Sequence, residues 1–328
     1  MSKVTINDLA KITGYSKSTV SCALNNGEGV GEQAREKIIR VAKEKGYTPN
    51  YFAKKISSKD YRMIGVILRD LTNPFYANVF CAIDKLAEEN NYEIIFYNLG
   101  GESKRIQSGI NLMKEKMVSG IILDFFAYDK EVVAELVDSS IPSVIFGMNV
   151  DEDLSCVQTD DETGAKDAVE YGIKLGYKHI FYIGKRHDDM FDLRRAETIK
   201  RRLRFHGLSC ENCLLYPNAN EEIANTILEN CPKNSLLICY NDIWACSVIQ
   251  SLMKVGRYVP EDYSIIGFDN ISIIPYPLTT IDIPQYEMAE EAFKLLLEQI
   301  EKGGEKRKVT LHSNLVIRDS VKDLKKNP

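Results

Sequence analysis

Thr5-Ile6-Asn7-Asp8-Leu9-Ala10-Lys11-Ile12-Thr13-Gly14-Tyr15-Ser16-Lys17-Ser18-Thr19-Val20-Ser21-Cys22-Ala23-Leu24-Asn25 reads as two short helices joined by a tight turn. Thr5 offers an N-cap hydroxyl, and Leu9, Ala10 and Ile12 follow as an apolar-periodic stretch. Gly14-Tyr15-Ser16 breaks that helix, and Ser16 can cap a second one from Lys17 to Asn25. Val20, Ala23 and Leu24 form one face of the second helix; Lys17, Ser18, Ser21, Cys22 and Asn25 form the other. A helix that enters the DNA major groove needs such a face, because short donors and acceptors must reach base edges without holding the backbone off. Ser16 and Thr19, near the helix start, suit phosphate contacts, since backbone N–H groups and the helix dipole favour anions there. The same spacing also describes a generic surface helix, so the pattern by itself leaves both readings open.

The residues that follow complete a small helical unit. Asn25-Asn26-Gly27-Glu28-Gly29 is a loop by its turn chemistry. Glu32 to Lys45 predicts a third helix with Ile38, Ile39, Val41 and Ala42 inward and Gly46 as its C-cap. Pro49 ends the unit, and residues 50–60 read as a short polar, basic linker. Residues 1–59 carry 11 Lys/Arg against 5 Asp/Glu, a net of +6, whereas the rest of the 328-residue chain carries 31 against 42, a net of −11. A basic head on an acidic body points to a nucleic-acid-binding module, although a solvated basic helix surface gives the same count.

From Tyr61 the texture changes. Short β-rich runs at Ile64–Leu68, Tyr92–Tyr97, Gly120–Phe126, Pro142–Phe146, His179–Ile183, Ser235–Tyr240 and Tyr263–Phe268 alternate with amphipathic stretches such as Asn78–Glu89, Glu131–Asp138 and Thr163–Leu175. This alternation predicts parallel sheets covered by helices on both faces. The stretch is too long for one open sheet, so two lobes are expected. Residues 322–328 read as a frayed tail.

Composition excludes several classes. With 44% hydrophobic and 27% charged residues the chain is an ordinary globular one. The start lacks an apolar signal-peptide core and no run suits a membrane span, so a cytoplasmic protein without membrane contact is expected. The eight cysteines are scattered, which suits buried free thiols; the lone Cys210-Glu211-Asn212-Cys213 lacks the further ligands of a zinc site. No metal and no cofactor are expected. A dehydrogenase would need Gly-x-Gly-x-x-Gly after a strand, but Gly27-Glu28-Gly29-Val30-Gly31 lies in the helical head and lacks the final spacing. No phosphate-binding GxxxxGK[ST] loop is present, and the four histidines support no Ser-His-Asp arrangement, so the chain is not read as an enzyme. An exported solute-binding protein would share the two lobes but not the basic head.

Val4 to Ala10, Gly14-Tyr15-Ser16, Ser18 to Ser21, Leu24-Asn25 and Gly46-Tyr47-Thr48-Pro49-Asn50 resemble the head-piece of the LacI/GalR bacterial repressors. The resemblance continues in order through Ile64-Gly65-Val66-Ile67, Asn73-Pro74-Phe75-Tyr76-Ala77, Asp160 to Ala165, Gly176-Tyr177-Lys178-His179-Ile180, Tyr240-Asn241-Asp242, Val259 to Asn270 and Leu278-Thr279-Thr280-Ile281. It implies an α/β architecture: a small all-α helix-turn-helix head-piece followed by a two-lobed, periplasmic-binding-protein-like domain with parallel sheets. The implied boundaries are 1–48 for the DNA-binding head, 49–60 for a hinge helix, and 61–328 for effector binding and dimerisation. Within the last, one lobe takes about 61–159 plus 285–316 and the other about 160–284 plus 317–328. The resemblance further implies a repressor that binds a near-palindromic double-stranded operator as a homodimer, with a tetramer left open, and a small polar effector, a sugar or sugar derivative.

For DNA contact it implies Thr5, Ser16, Lys17, Ser18, Thr19, Ser21, Cys22 and Asn25, with Asn50, Ala53, Lys54 and Ile56 in the hinge. Ile56 stands where the family has a leucine wedge that pries open a minor-groove step. For the effector it implies Phe75, Tyr76, Asp160, Arg195, Asn241 and Asp269: carboxylates and an amide accept from hydroxyls, arginine donates in a rigid fork, and an aromatic covers an apolar face. Two departures stand out. Cys22 replaces the arginine that the family usually carries after Thr-Val-Ser. Thr198-Ile199 replaces the Gly-aromatic pair after Arg195. Trp244 is expected to pack within a lobe.

Overall fold

The computed structural model describes residues 4–25, 27–47, 62–148, 150, 153–185, 189–211, 213–216 and 222–326. The chain divides into two units, Met1–Tyr61 and Arg62–Pro328. Asn50, Ala53, Lys54 and Ile56 lie outside the described residues.

The first unit holds α1 (Ile6–Thr13), α2 (Lys17–Leu24) and α3 (Glu32–Glu44). Thr5 caps α1 in a capping box: its hydroxyl accepts from Asp8 N, and its own N–H donates to the Asp8 carboxylate at 2.9 Å. Gly14, at φ 79°, ends α1 in the left-handed conformation that glycine adopts without strain. Leu9, Val20, Ala23, Ile38 and Ala42 form the core. Ile39, expected inward, is 44% exposed; 100° of helix rotation from Ile38 carries it off the core face. Arg35 reaches from α3 to the carbonyls of Ala23 (3.2 Å) and Gly27 (2.6 Å), tying the end of α2 and its loop to α3.

Among its described residues the second unit contains two six-stranded sheets. In chain order the elements are β1 (Met63–Leu68), α4 (Pro74–Glu89), β2 (Glu93–Asn98), α5 (Ile106–Glu115), β3 (Gly120–Asp124), α6 (Lys130–Asp138), β4 (Ser143–Gly147), β5 (Ser155–Thr159), α7 (Asp161–Lys174), β6 (Ile180–Ile183), α8 (Met190–Phe205), β7 (Leu214–Leu215), α9 (Glu222–Asn230), β8 (Leu236–Cys239), α10 (Asp242–Lys254), β9 (Ser264–Phe268), β10 (Thr279–Asp282), α11 (Gln285–Lys302), β11 (Lys308–Leu311) and β12 (Asn314–Val316). The first sheet runs β11-β5-β4-β3-β1-β2 and is parallel throughout. The second runs β12-β10-β9-β8-β6-β7, parallel except where β12 pairs antiparallel with β10.

Central strands β1, β3, β4, β8 and β9 are buried at every residue, as strands covered on both faces must be, which is why they read as apolar runs rather than alternations. The chain passes from one sheet to the other after β5, after β10 and between β11 and β12. The last crossing falls at residues 312–313, so β12 belongs to the second sheet and not, as the reading through 316 had it, to the first. Two short edge pairings, β7 and β12, are too brief to show a sequence period. Of the eight cysteines, five are buried, Cys22 and Cys246 are half-buried and Cys81 is exposed; all are free.

Candidate functional site

In the head, α2 begins at a small hydroxyl cluster. Ser16 caps the helix by accepting from Thr19 N at 3.1 Å, and its hydroxyl lies 2.8 Å from both Ser18 Oγ and Thr19 Oγ1. Thr5, Ser16, Lys17, Ser18 and Asn25 are exposed, and Thr19, Ser21 and Cys22 half-buried, while Val20 and Ala23 are fully buried beneath them. This gathers the expected DNA-facing residues of the described head around one helix and its N-terminal approach. Cys22 stands apart. Its thiol donates back to the carbonyl of Glu28 at 3.1 Å, and a Cβ on Gly27 would stand only 2.7 Å from its Sγ. The side chain is therefore engaged with the loop after α2, and Gly27 is the residue that leaves it room.

In the second unit, β1, β3, β4 and β8 end beside the starts of α4, α7, α8 and α10, the place where parallel α/β sheets take ligands. A cavity of about 110 Å³ opens there, and Phe75, Tyr76, Arg195, Asn241 and Asp269 all line it. Asp160 does not. It caps α7, accepting from Thr163 N at 3.0 Å and Thr163 Oγ1 at 2.6 Å, and borders a neighbouring cleft with Thr163, Arg194 and Arg201. The neighbouring Asp161, the first residue of α7, turns inward instead and accepts from Arg195 Nη2 at 3.1 Å.

Arg195 differs from the arginines near it. Arg201 and Arg202 pair with Glu162 and Glu170 on the outer surface, whereas Arg195 is 5% exposed. Its Nη1 donates to the carbonyl of Tyr240 at 2.5 Å, and its guanidinium lies 4.2 Å from the centre of the Phe268 ring. Asp161 and Asp269 hold its pKa above the usual arginine value against the opposing effect of burial, so it stays charged. Asn241 caps α10 through Trp244 N at 2.8 Å, and Trp244 donates its indole N–H to the carbonyl of Gly184, packing the lobe as expected.

Asp269 is held in an unusual backbone. Its φ is 100° and that of Asn270 is 52°, both in the left-handed region that side chains other than glycine seldom adopt. The strain is overcome by neighbours: Asp269 N donates to Ile281 O at 2.9 Å, Gln285 donates to Asp269 O at 2.6 Å, and Asn270 bonds to Asp282 and Arg318. Asp242 accepts from Ile271 N at 2.9 Å and from Thr280 Oγ1 at 2.6 Å, fixing the next turn. Strain of this kind concentrates at functional sites. Burial pushes the Asp269 carboxyl up to about 6 despite the opposing pull of Arg195.

The sequence reading missed a second charged group in the same cavity. Arg69, just after β1, donates through Nη1 to Asp189 Oδ2 at 2.6 Å and Tyr240 Oη at 2.9 Å, and its Nε lies 3.7 Å from Asp124 Oδ2. Asp189 also caps α8 through Phe191 N and Asp192 N. Burial pushes the Asp124 carboxyl up to about 6, with Arg69 pulling the other way. The available signal was positional: Arg69 and Asp124 sit at strand C-termini and Asp189 at a helix N-terminus, where sites in such sheets collect.

The first unit is a helix-turn-helix head and the second a two-sheet ligand-binding fold, the architecture of a ligand-regulated DNA-binding protein. Residues 5–50 match the model of the bacterial regulatory proteins of the lacI family, and residues 169–321 match a periplasmic binding protein-like domain. The chain is 30% identical over 332 residues to the HTH-type transcriptional repressor PurR of Vibrio atlanticus, covering 98% of this chain and 99% of that one. The crystal structure of the lac repressor dimer bound to operator shares the fold at TM-score 0.80 and 20% identity, over 97% of this chain and 99% of that one. A LacI family regulator from Enterococcus faecium with bound ribose matches at TM-score 0.71 and 25% identity, over 80% and 99%. This chain belongs to the LacI/GalR family of bacterial transcriptional regulators: it is a DNA-binding repressor with an effector-binding domain. No described helix is long and apolar enough to cross a membrane.

Proposed function

We propose that the chain acts in the cytoplasm as a homodimer, reading a near-palindromic operator through Ser16–Asn25, and that a sugar or sugar derivative bound between the two lobes modulates operator affinity. Residues 1–48 are the reading head, 49–60 the hinge segment with Ile56 as its wedge, and the remainder the effector and dimer module. The observation that carries the effector class is the cavity lining. Charged acceptors (Asp161, Asp269) and rigid donors (Arg195) stand beside the rings of Phe75 and Tyr76, which meet edge to face with centroids 5.0 Å apart. A sugar hydroxyl donates to carboxylates and accepts from guanidinium at once, and its C–H face packs on an aromatic. The Enterococcus faecium relative with bound ribose is consistent with this class. Arg195, Asn241, Asp269 and Asp161 are the proposed polar contacts; Asp160 is left as a helix cap.

The test is a thermal-shift panel of mono- and disaccharides with nucleobases as the competing class, followed by operator binding with each stabilising compound. A sugar that raises the melting midpoint and alters operator affinity supports the reading. Stabilisation by a nucleobase alone removes the sugar assignment.

A further inference from the structure

Each of the two buried arginines in the cavity wall stands between two aspartates. Arg69 donates to Asp189 at 2.6 Å and lies 3.7 Å from Asp124. Arg195 donates to Asp161 at 3.1 Å, and Asp269 is its second charged neighbour. All six residues line the same cavity, and each is 8% exposed or less. Each trio therefore holds one cation to two carboxylates and, fully ionised, carries one negative charge in excess. The two other charged residues on the cavity, exposed Lys185 and half-buried Asp70, offset one another and leave that excess standing. Behind the Asp269 turn, Asp242 holds Ile271 N and adds charge of the same sign, not a counterion; burial and then Asp269 push its carboxyl up to about 7.

Buried charge without a counterion is costly, and a carboxyl relieves that cost by keeping its proton or by meeting a cation. The surplus carboxyls show the first response: burial pushes Asp124 and Asp269 up to about 6, the arginine of each trio opposes this, and the second aspartate adds to it. Neutral hydroxyls fill the lone pairs of a carboxylate but leave its charge unmatched; an ammonium group does both. Asp269 is placed to receive one. Its backbone N–H and carbonyl are taken by Ile281 and Gln285, so its side chain is what it turns to the cavity. The rings of Phe75 and Tyr76 line the same cavity, and an aromatic face also attracts a cation. Among the described residues no three carboxylate, histidine or cysteine side chains come together as a metal-ligating group, so the cation that fits is an organic one.

We infer that the effector is an amino sugar: its ammonium group meets the Asp269 carboxylate, and its hydroxyls take the remaining donors and acceptors of the cavity. The inference rests on the cleft being the effector site and narrows the sugar derivatives to those that carry a basic nitrogen.

Titration calorimetry of the full-length protein at pH 7 compares glucosamine, galactosamine and mannosamine with the matching neutral hexoses and N-acetylhexosamines, with ammonium chloride as the ionic control. At least one amine should bind about tenfold tighter than both of its counterparts, because charge-assisted hydrogen bonds are about twice as strong as neutral ones. Asp269→Asn keeps the shape of the side chain, and asparagine is among the residues that adopt a positive φ most readily. In that variant the amine should lose its advantage and bind no tighter than the neutral hexose. A merely structural role for Asp269 would weaken amine and hexose alike and leave the advantage in place, which overturns the inference. A response to the amines no greater than that to ammonium chloride overturns it too. A neutral hexose that binds more tightly than its amine counterpart removes this inference alone and keeps the sugar reading. Silence from the whole panel removes both.

Discussion

The head and the cleft present polar groups in opposite ways. Around α2 the serines, Lys17 and Asn25 sit on the surface, and their hydrogen bonds are local, made within a few residues of chain. In the cleft, charged groups that are far apart in sequence are buried together, as in Arg69–Asp189 and Arg195–Asp161. The first arrangement leaves recognition to the partner's groove and changes little when one side chain is exchanged. The second arranges its charges in advance, so removing one member strands another in a low-dielectric site.

The largest expected effect follows from that difference. Arg195→Ala leaves Asp161 and Asp269 buried without their cation, and should weaken effector binding by about 2–5 kcal/mol while operator affinity without effector is retained. Titration calorimetry with the stabilising sugar checks the first part and operator gel shifts the second. Equal sugar affinity in variant and wild type would remove Arg195 from the site.

Core packing gives an effect of similar size on the other region. Leu9 is fully buried in the small core that it forms with Val20, Ala23, Ile38 and Ala42 among the described residues, so Leu9→Ala should destabilise the head by about 2–5 kcal/mol. Operator binding is lost while sugar binding is kept, because the two units have separate cores. Loss of sugar binding in this variant would show that the units do not fold independently.

Protonation sharpens the contrast from the cleft side. Asp124 and Asp269 are pushed up to about 6, so the folded protein holds protons there that the unfolded chain, near 4, has released. Their favourable contribution to folding is complete below about pH 4 and is lost as pH rises through about 6. A sugar hydroxyl donating to either ionised carboxylate draws its pKa back down. Sugar affinity should therefore fall as pH drops from about 7 to about 5. Affinity that rises on acidification would mean that the ligand is not donating to these groups.

The smallest effect is expected at Cys22. Its thiol is engaged with Glu28 O, which favours a side chain that reads no base over one that touches a thymine methyl. Cys22→Ser should then select the same operator motif from random DNA as the wild type. Cys22→Arg, whose long fork cannot fold back into the space beside Gly27, should gain a guanine preference of about 1–3 kcal/mol at one base pair. A motif altered by serine, or unaltered by arginine, would reverse this assignment.

What could be read in the sequence follows the same division. The head is built from local rules, capping by Thr5 and Ser16 and helical periodicity, and these can be seen without the fold. The cleft residues found from sequence came through family resemblance, and that route misplaced one of them: of two adjacent aspartates, Asp160 caps the helix and Asp161 points inward, a difference set by one step of backbone. Arg69, Asp124 and Asp189 were missed because each is unremarkable alone and they meet only when two sheets are stacked. Strands β5, β7, β10, β11 and β12 were not among the runs read from the sequence; β7 and β12 are two or three residues long and carry no period, and β5, β10 and β11 mix polar with apolar residues in four or five positions.

The central claim is that ligand occupancy of the cleft changes how the head binds DNA. Its most direct measurement is fluorescence anisotropy of a labelled selected operator with the full-length protein, with and without the sugar that stabilises it, in wild type and Arg195→Ala. The account predicts that the sugar changes wild-type operator affinity by about 5- to 150-fold and leaves the variant unmoved at the same concentration. A sugar that binds the wild type and raises its midpoint, yet leaves operator affinity unchanged, would contradict the claim.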